Sequence, residues 1–394
     1  EMQRSLVGSE MCIRDRFSGL PMQSIRSWRW QRSVVPMRKR NAKRYLQAEE
    51  IFVPQSSVEG EASDVNLCSQ NLSDCEKVTT GNVLLSGRIH SVFHHVINVV
   101  TEQGTLFSLV NHGTETFAGA ISLVEDIDLK TLLLKAGDPV VWQTDMICLG
   151  SLVHISLDHV QVQTVPYIPE IGQNISRQTI SRISHLVEIY GNKSSLYDAL
   201  FDQPYLDEYG RMFRERLHRL QAALAAGTAL EDRKTGTDQV AAETQKACTD
   251  QVVPADQNAC TSQRCFDYDY QSKIRQAVSG FLGLGIGMTP SGDDFLCGLF
   301  AAAYARGDSW RGAMDMDRYR DWIRGSTGAV SSAMLENAWR GLVRRSLWQL
   351  FDAMAQGDWE VQKRAVHNVI RYGSTSGTDM MCGVLFGLSG GTNI

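Results

Sequence analysis

Two short segments of this chain share residue types that suit ligand binding and acid–base chemistry. The first segment reads Gly283-Leu-Gly285-Ile-Gly287-Met-Thr289-Pro-Ser291-Gly292-Asp293-Asp294. The second segment, Ser376-Gly377-Thr378-Asp379, repeats its Ser-Gly-x-Asp part, and Cys297-Gly298 is repeated as Cys382-Gly383. Both segments run into apolar and small residues, which predicts that each one opens a buried helix. Two similar loops of this kind predict one site with two similar walls, at which Asp294 and Asp379 face a common cavity.

The chemistry that these loops predict is binding of an anion beside two carboxylates. Small residues let the backbone turn sharply and approach a ligand closely, and free N–H groups at a helix start attract anions. Asp294 and Asp379 are the candidate catalytic residues. The candidate residues for binding substrate or anion are Gly283, Gly285, Gly287, Thr289, Ser291, Gly292, Asp293, Ser376 and Gly377. The alternative is that the hydroxyls and carboxylates only cap helices, and that the glycines only allow close packing.

His90 is the third candidate catalytic residue. It precedes Ser91 in a strand-like segment, and adjacent side chains on a strand point to opposite faces, so this pair predicts no Ser/His/Asp triad. His90 remains a candidate for polarising a carbonyl group, with a plain core or surface histidine as the alternative. The sequence assigns no metal-ligating set, because the cysteines form no CxxC pair.

Composition restricts the class of protein. Apolar residues make up 43% of the chain and charged residues 21%, which is typical of a soluble globular protein. No apolar run is long enough to span a membrane, and the net charge of −5 does not favour a nucleic-acid binder. The odd number of cysteines, 9, without a secretory signal indicates reduced thiols and a cytoplasmic location.

The chain divides into segments of different character. Residues 1–16 resemble a translated sequencing adapter and are interpreted as a probable sequencing artefact. Residues 17–78 predict a disordered basic and polar lead-in, and residues 79–168 a β-rich domain. Residues 169–394 predict a helical domain that carries the glycine-rich signature, with a disordered insert at 228–264.

The predicted fold class is α+β. Alternating apolar residues between turn signals such as Gln103-Gly104 and Gly137-Asp138 predict an N-terminal antiparallel β domain, barrel-like or sandwich-like. A mostly α-helical domain follows. There, apolar residues recur at helical spacing, as at Ile180, Ile183 and Val187, with Gly191 as the helix stop.

The run GLGIGMTPSGDDFLCGL resembles the signature of the oxamate carbamoyltransferase subunit AllH-like family. Residues 87–98 and 373–380 resemble two further segments of that family, and the resemblance covers residues 80–394 apart from the insert. It implies transfer of a carbamoyl group between oxalurate or oxamate and phosphate, in the purine (allantoin) branch of nitrogen catabolism. It also implies one subunit of a multi-subunit transferase complex in the cytoplasm.

The resemblance implies that the partners are other subunits of the complex and a small anionic substrate, with neither nucleic acid nor membrane. The cofactor is left open. No tightly bound organic cofactor is expected, and Mg²⁺ held by Asp294 or Asp379 is one option. Two alternatives to catalysis stay open: a non-catalytic organising subunit of a multi-subunit enzyme, and a small-anion binding protein.

Overall fold

The computed structural model describes residues 43–55, 83–173, 175–226, 270–314 and 316–391. The predicted artefact at 1–16 and the predicted insert at 228–264 lie outside the described residues. So do residues 17–42 and 56–78 of the predicted lead-in. The interpretations made for those segments therefore stay predictions.

The first part of the chain is a closed barrel of eight strands, with a ninth strand attached to it. In spatial order the sheet is β5-β4-β3-β2-β6-β7-β8-β1-β9, and pairing of β5 with β1 closes the ring. The strands are β1 Arg44–Pro54, β2 Val83–Val92, β3 Val96–Thr101, β4 Leu106–Val110, β5 Ala120–Leu123, β6 Pro139–Gln143, β7 Met146–Leu149, β8 Val153–Ser156 and β9 Gln161–Val165. The β-rich part of the predicted fold class is thus confirmed, although β1 with β8, β1 with β9 and β4 with β5 pair in parallel.

Strand β1 corrects the sequence prediction, which assigned residues 44–54 to a disordered lead-in. Its apolar side chains Leu46, Ala48, Ile51 and Val53 are buried in the barrel. A shift of register between residues 48 and 50 interrupts the alternation of apolar and polar residues, as a β-bulge does. Because strict alternation is the main signal for a half-buried strand, the bulge hid this one.

The second part of the chain is helical. Its helices are α1 Arg177–Tyr190, α2 Ser195–Leu200, α3 (208–226), α4 (270–279), α5 Ser291–Arg306, α6 Met316–Ser326, α7 Ala329–Trp339, α8 Arg345–Gln356, α9 Trp359–Ile370 and α10 Ser376–Leu388. Short 3-10 turns lie at Leu129–Leu132 and Ser309–Ala313. The predicted helical domain, and with it the α+β class, is confirmed. Within the described ranges, no helix combines the length and the apolar character needed to cross a membrane.

Helices α5 and α10 form the centre of the helical part. Both are apolar around most of their circumference, and almost every residue of each is buried. A helix that is apolar on all sides requires packing partners on all sides. Helices α1, α2, α7 and α9 supply these partners. The two signature loops thus lead directly into the core of the domain.

Candidate functional site

Helices α5 and α10 cross at two glycines in a reciprocal contact. A Cβ on Gly298 would lie 1.9 Å from the carbonyl oxygen of Met380, and a Cβ on Gly383 would lie 1.9 Å from that of Phe295. In the aligned segments Gly298 corresponds to Gly383, and Phe295 corresponds to Met380. Each helix therefore packs its glycine against the equivalent carbonyl oxygen of the other helix. An approximate two-fold relation follows for the two segments.

The loops that precede the two helices touch each other. The hydroxyls of Thr289 and Ser376 lie 3.2 Å apart, one from each loop. The N-cap residues are Pro290 for α5 and Thr375 for α10, and neither forms a side-chain capping bond. The contact between Thr289 and Ser376 thus joins the two loops, which argues against the interpretation that these hydroxyls only cap helices.

Asp294 is a buried carboxyl group without a hydrogen-bond partner. Its side chain is 1% exposed, and neither oxygen meets a donor in hydrogen-bonding geometry. Burial raises the pKa of Asp294 to about 8, and the negative charge of Asp379 contributes. The hydroxyls of Ser376 and Thr289 lie close enough to lower that pKa in part. Burial and the neighbouring charge thus both favour the protonated form of Asp294.

Asp379 occupies the equivalent position on α10 but has a partner. Its Oδ1 accepts a hydrogen bond of 2.5 Å from the hydroxyl of Ser194, whereas its Oδ2 has no partner in hydrogen-bonding geometry. Burial raises the pKa of Asp379 to about 6, and the hydroxyls of Ser194, Ser291 and Thr375 limit the rise. Two carboxyl groups whose environments separate their pKa values are suited to act as an acid and a base.

Asp293 differs from Asp294 because each of its carboxylate oxygens accepts a hydrogen bond from within the protein. Oδ1 accepts the N–H of Gly283 at 2.8 Å, and Oδ2 accepts the hydroxyl of Thr327. Burial raises the pKa of Asp293 as well. The side chain thus joins the glycine loop to the residues that lead into α7. It stabilises the loop, while Asp294 keeps its oxygens available.

The glycines have two different roles. Gly283, Gly285 and Gly287 have φ of 67°, 122° and 107°, in the region that favours glycine. By contrast, a Cβ on Gly292 would lie 2.1 Å from the Phe281 carbonyl oxygen, and one on Gly377 would lie 1.9 Å from the Val369 carbonyl oxygen. The first three therefore shape the loop, and the last two allow the helix starts to pack closely.

The tip of the glycine loop is exposed and offers donors. Ile286 is 78% exposed and Met288 is 42% exposed. The backbone N–H groups of residues 285–289 form no hydrogen bond with other described residues. Free N–H groups in such a loop are suited to bind an oxyanion.

His90 lies apart from the two loops, on strand β2 of the barrel. It is exposed, and its Nδ1 is 3.1 Å from the hydroxyl of Ser91. The expectation that these neighbours point to opposite faces is wrong, because the register shifts between Ile89 and Ser91 and brings them together. The Ser91 hydroxyl also accepts from Asn98 at 3.0 Å. None of these bonds connects His90 to the carboxyl pair.

The carboxyl pair does not line either of two cavities on the surface of the described residues. One cavity, of about 360 Å³, lies between α1, α8 and α9, and the other, of about 530 Å³, lies between α3 and α4. Neither is lined by Asp294 or Asp379, so the common cavity expected from the sequence is not among them. The part of the chain that the structure describes contains no group of three or more His, Cys, Asp or Glu arranged for a metal ion.

Ser194 is the site residue that sequence reasoning missed. It is the N-cap of α2, where its hydroxyl accepts the Tyr197 N–H at 3.0 Å. Its sequence signal, a serine shortly after the helix stop at Gly191, indicates a cap only. Its contact with Asp379 spans 185 residues of sequence, and no local pattern encodes such a contact.

Comparison with known families agrees with this geometry. Residues 281–388 match the family described as "Oxamate carbamoyltransferase subunit AllH", and residues 63–162 match the "AllH family N-terminal domain". The chain belongs to the AllH family. The AllH match contains both loops and both helices of the crossing, whereas Ser194 lies between the two matched segments. No solved structure matches the chain.

Proposed function

We propose that this chain carries the proton-transfer part of an oxamate carbamoyltransferase active site, with Asp294 as the acid and Asp379 as the base. One observation carries the proposal. Two buried carboxyl groups lie in the first turns of helices whose preceding loops touch, and their pKa values are raised to different levels, about 8 and about 6. At pH 7 one group holds a proton and the other has mostly lost it. This is the arrangement that general acid–base catalysis requires.

The reaction proposed is phosphorolysis of oxalurate, as one step in recovering nitrogen from purine breakdown. A phosphate oxygen attacks the ureido carbonyl carbon, and the bond from that carbon to the nitrogen of the oxamate part breaks. The products are carbamoyl phosphate and oxamate. The leaving nitrogen takes the proton of Asp294, and the proton of the attacking hydrogen phosphate passes to Asp379. Return of that proton to Asp294 restores the starting state.

The glycine loop supplies the other requirement of this reaction, which is a position for the anion. The unbonded N–H groups of residues 285–289 are suited to hold phosphate or the substrate carboxylate. The carboxyl pair lies beneath the loops, so substrate reaches it when the exposed loop moves aside. The positive φ angles of Gly283, Gly285 and Gly287 allow this backbone to adopt conformations closed to other residues.

An organising role without catalysis is the second candidate function. The observation that favours it is the enclosure of Asp294 and Asp379, which are 1% and 0% exposed. In this role the carboxyl pair is a structural element, and the exposed apolar tip at Ile286 and Met288 contacts a partner subunit. The family description, which names a subunit, suits both candidates.

The test separates assembly from turnover. The chain is assayed for release of carbamoyl phosphate from oxalurate in the assembly with its partner subunits, and the assembly is measured by sedimentation. Asp379→Asn keeps the shape of the side chain and removes the base. The proposal expects this variant to assemble normally and to lose turnover. If Asp379→Asn assembled normally and kept normal turnover, the acid–base proposal would be wrong and the organising role would remain.

A further inference from the structure

The two halves of the duplicated site carry the same carboxyl group in sequence but differ in the hydrogen bonds around it. Asp294 and Asp379 occupy matching positions in the aligned segments, and both are buried. Each half receives one hydroxyl from residues that lead into a neighbouring helix. Thr327, before α7, donates to Asp293 in the first half, whereas Ser194, before α2, donates to Asp379 in the second. In the aligned segments Asp379 corresponds to Asp294, so the two donors bind positions that are one residue apart.

This shift by one residue leaves Asp294 without the donor that Asp379 receives from a neighbouring helix start. The position in the second half that corresponds to Asp293 is Thr378, whose hydroxyl accepts the N–H of Asn192 at 2.9 Å. The first turn of α10 is therefore anchored by a backbone N–H, and the Ser194 hydroxyl remains for Asp379. In α5 the anchoring uses Thr327, and no hydroxyl from the start of α2 or α7 reaches Asp294, which among the described residues has only the loop hydroxyls of Ser376 and Thr289 near it.

We propose that Ser194 is a positioning residue that makes the two duplicated carboxyl groups unequal, giving the role of base to Asp379 and leaving the role of acid to Asp294. The inference deepens the proposed function and rests on it. Ser194 belongs to neither duplicated segment, so it is the element by which a symmetric pair acquires two distinct roles. A hydrogen bond donated to a carboxylate favours its charged form.

The surroundings of Asp379 contain few other groups able to produce this difference. Helix α5 brings Asp294, and α10 itself brings the buried thiol of Cys382. Helix α2 brings Tyr197, whose phenol donates to the Glu188 carbonyl at 3.3 Å. Helices α1 and α9, which also pack on α10, bring no ionisable group whose charge acts on Asp379. The remaining donors are the hydroxyls of Ser291 and Thr375. Asp294 has a matching pair of hydroxyls, Ser376 from the opposite loop and Thr289 from its own loop, so Ser291 and Thr375 do not break the symmetry and Ser194 is the additional donor.

The experiment follows the titration of Asp379 in the full chain and the pH–rate profile of the assembly. Carboxyl groups of aspartate are labelled with ¹³C, and the resonance of Asp379 is identified by its loss in Asp379→Asn. Ser194→Ala removes the hydroxyl, and Ser194→Thr restores one. Ser195→Ala is the matched control, because the Ser195 hydroxyl donates not to Asp379 but to the exposed Asp207, at 2.6 Å.

In Ser194→Ala we expect the midpoint of the Asp379 titration to rise by about one pH unit. The acid limb of the pH–rate profile should move to higher pH by the same amount, so that the pH range of full activity becomes narrower. Ser194→Thr should restore both, and Ser195→Ala should leave both unchanged. An Asp379 titration that stays in place in Ser194→Ala overturns the inference. So does a loss of rate that is equal at every pH, since that is the effect of a lost helix cap alone.

The two proposals fail in different ways. If Asp379→Asn keeps full turnover, the proposed function is wrong, and the ¹³C titration still decides whether Ser194 sets the ionisation of Asp379. If Asp379→Asn loses turnover while the titration in Ser194→Ala does not move, the function stands and the role of Ser194 is wrong.

Discussion

The hydroxyl of Thr289 lies 3.2 Å from the hydroxyl of Ser376, so the two signature loops meet across the entrance to α5 and α10. Both hydroxyls also act on Asp294, because each lowers its pKa against the effect of burial. The contact therefore links the geometry of the loops to the ionisation of the carboxyl group beneath them. The two residues should therefore behave as a coupled pair.

Thr289→Val and Ser376→Ala should each lower the free energy of unfolding by about 0.5–1.5 kcal/mol, the usual net value of a hydrogen bond. The double variant should cost less than the two single costs together, because the second change removes a bond that is already lost. Urea unfolding of the four proteins gives this coupling energy. Additive costs would show that the two hydroxyls do not interact.

Stability should depend on pH through Asp294. Its folded pKa of about 8 lies above its ordinary value of 3.8, so the native state holds a proton that the unfolded state has lost. The associated stabilisation is complete below pH 4 and is lost as pH rises to about 8. Asp294→Asn has no titrating carboxyl group at this position, so its stability does not fall with rising pH for this reason. The variant should gain on the wild-type chain by up to about 1.4 kcal/mol per pH unit over that window.

Unfolding by urea at pH 5, 7 and 9 measures this difference. Asp207→Asn is the control, because hydrogen bonds from Ser195 and the Gly210 N–H lower the pKa of Asp207. Because a lowered pKa affects stability only below about pH 4, the difference between Asp207→Asn and the wild-type chain should stay constant from pH 5 to pH 9. A constant difference between Asp294→Asn and the wild-type chain across the range would mean that Asp294 is ionised throughout.

The adjacent residues Asp293 and Asp294 should respond differently to alanine. Asp293→Ala leaves the Gly283 N–H and the Thr327 hydroxyl without an acceptor, at a cost of about 1–3 kcal/mol each when buried. Asp294→Ala removes a carboxyl group whose oxygens form no hydrogen bond in good geometry, so it should cost less, and at pH 8 it should cost little or nothing. Equal losses of melting temperature at pH 8 would contradict the division of roles between the two residues.

Close approach at the helix crossing predicts that Gly298 and Gly383 accept no side chain. Alanine at either position meets a carbonyl oxygen at 1.9 Å, and such overpacking costs about 1–3 kcal/mol or more. Gly325→Ala in α6 is the matched control, since its Cβ meets nothing within 4 Å. It should change stability by no more than about 1 kcal/mol. Similar melting temperatures for Gly298→Ala and Gly325→Ala would show that the helices do not cross at this point.

The sequence predicts those features that local patterns encode. Helical spacing and Gly191 place α1, and the repeated Ser-Gly-x-Asp pattern places two helix starts of similar build. It does not predict features that depend on a bulge or on a distant contact. A register shift hides β1, and another brings His90 to Ser91. Ser194 meets Asp379 only in the folded chain, because helix α2 packs against α10.

The most direct test of the account is the rate at which Asp294→Asn supports phosphorolysis of oxalurate in the assembly with its partner subunits, measured at pH 7 beside its melting temperature. The change keeps the shape of the side chain and removes the acid. Because general acid catalysis contributes about 10²- to 10⁴-fold, we predict a fall in kcat of that size with an unchanged or raised melting temperature. A kcat within about twofold of the wild-type value would contradict the central claim that Asp294 donates the proton, since a loss that small lies far below the contribution of an acid.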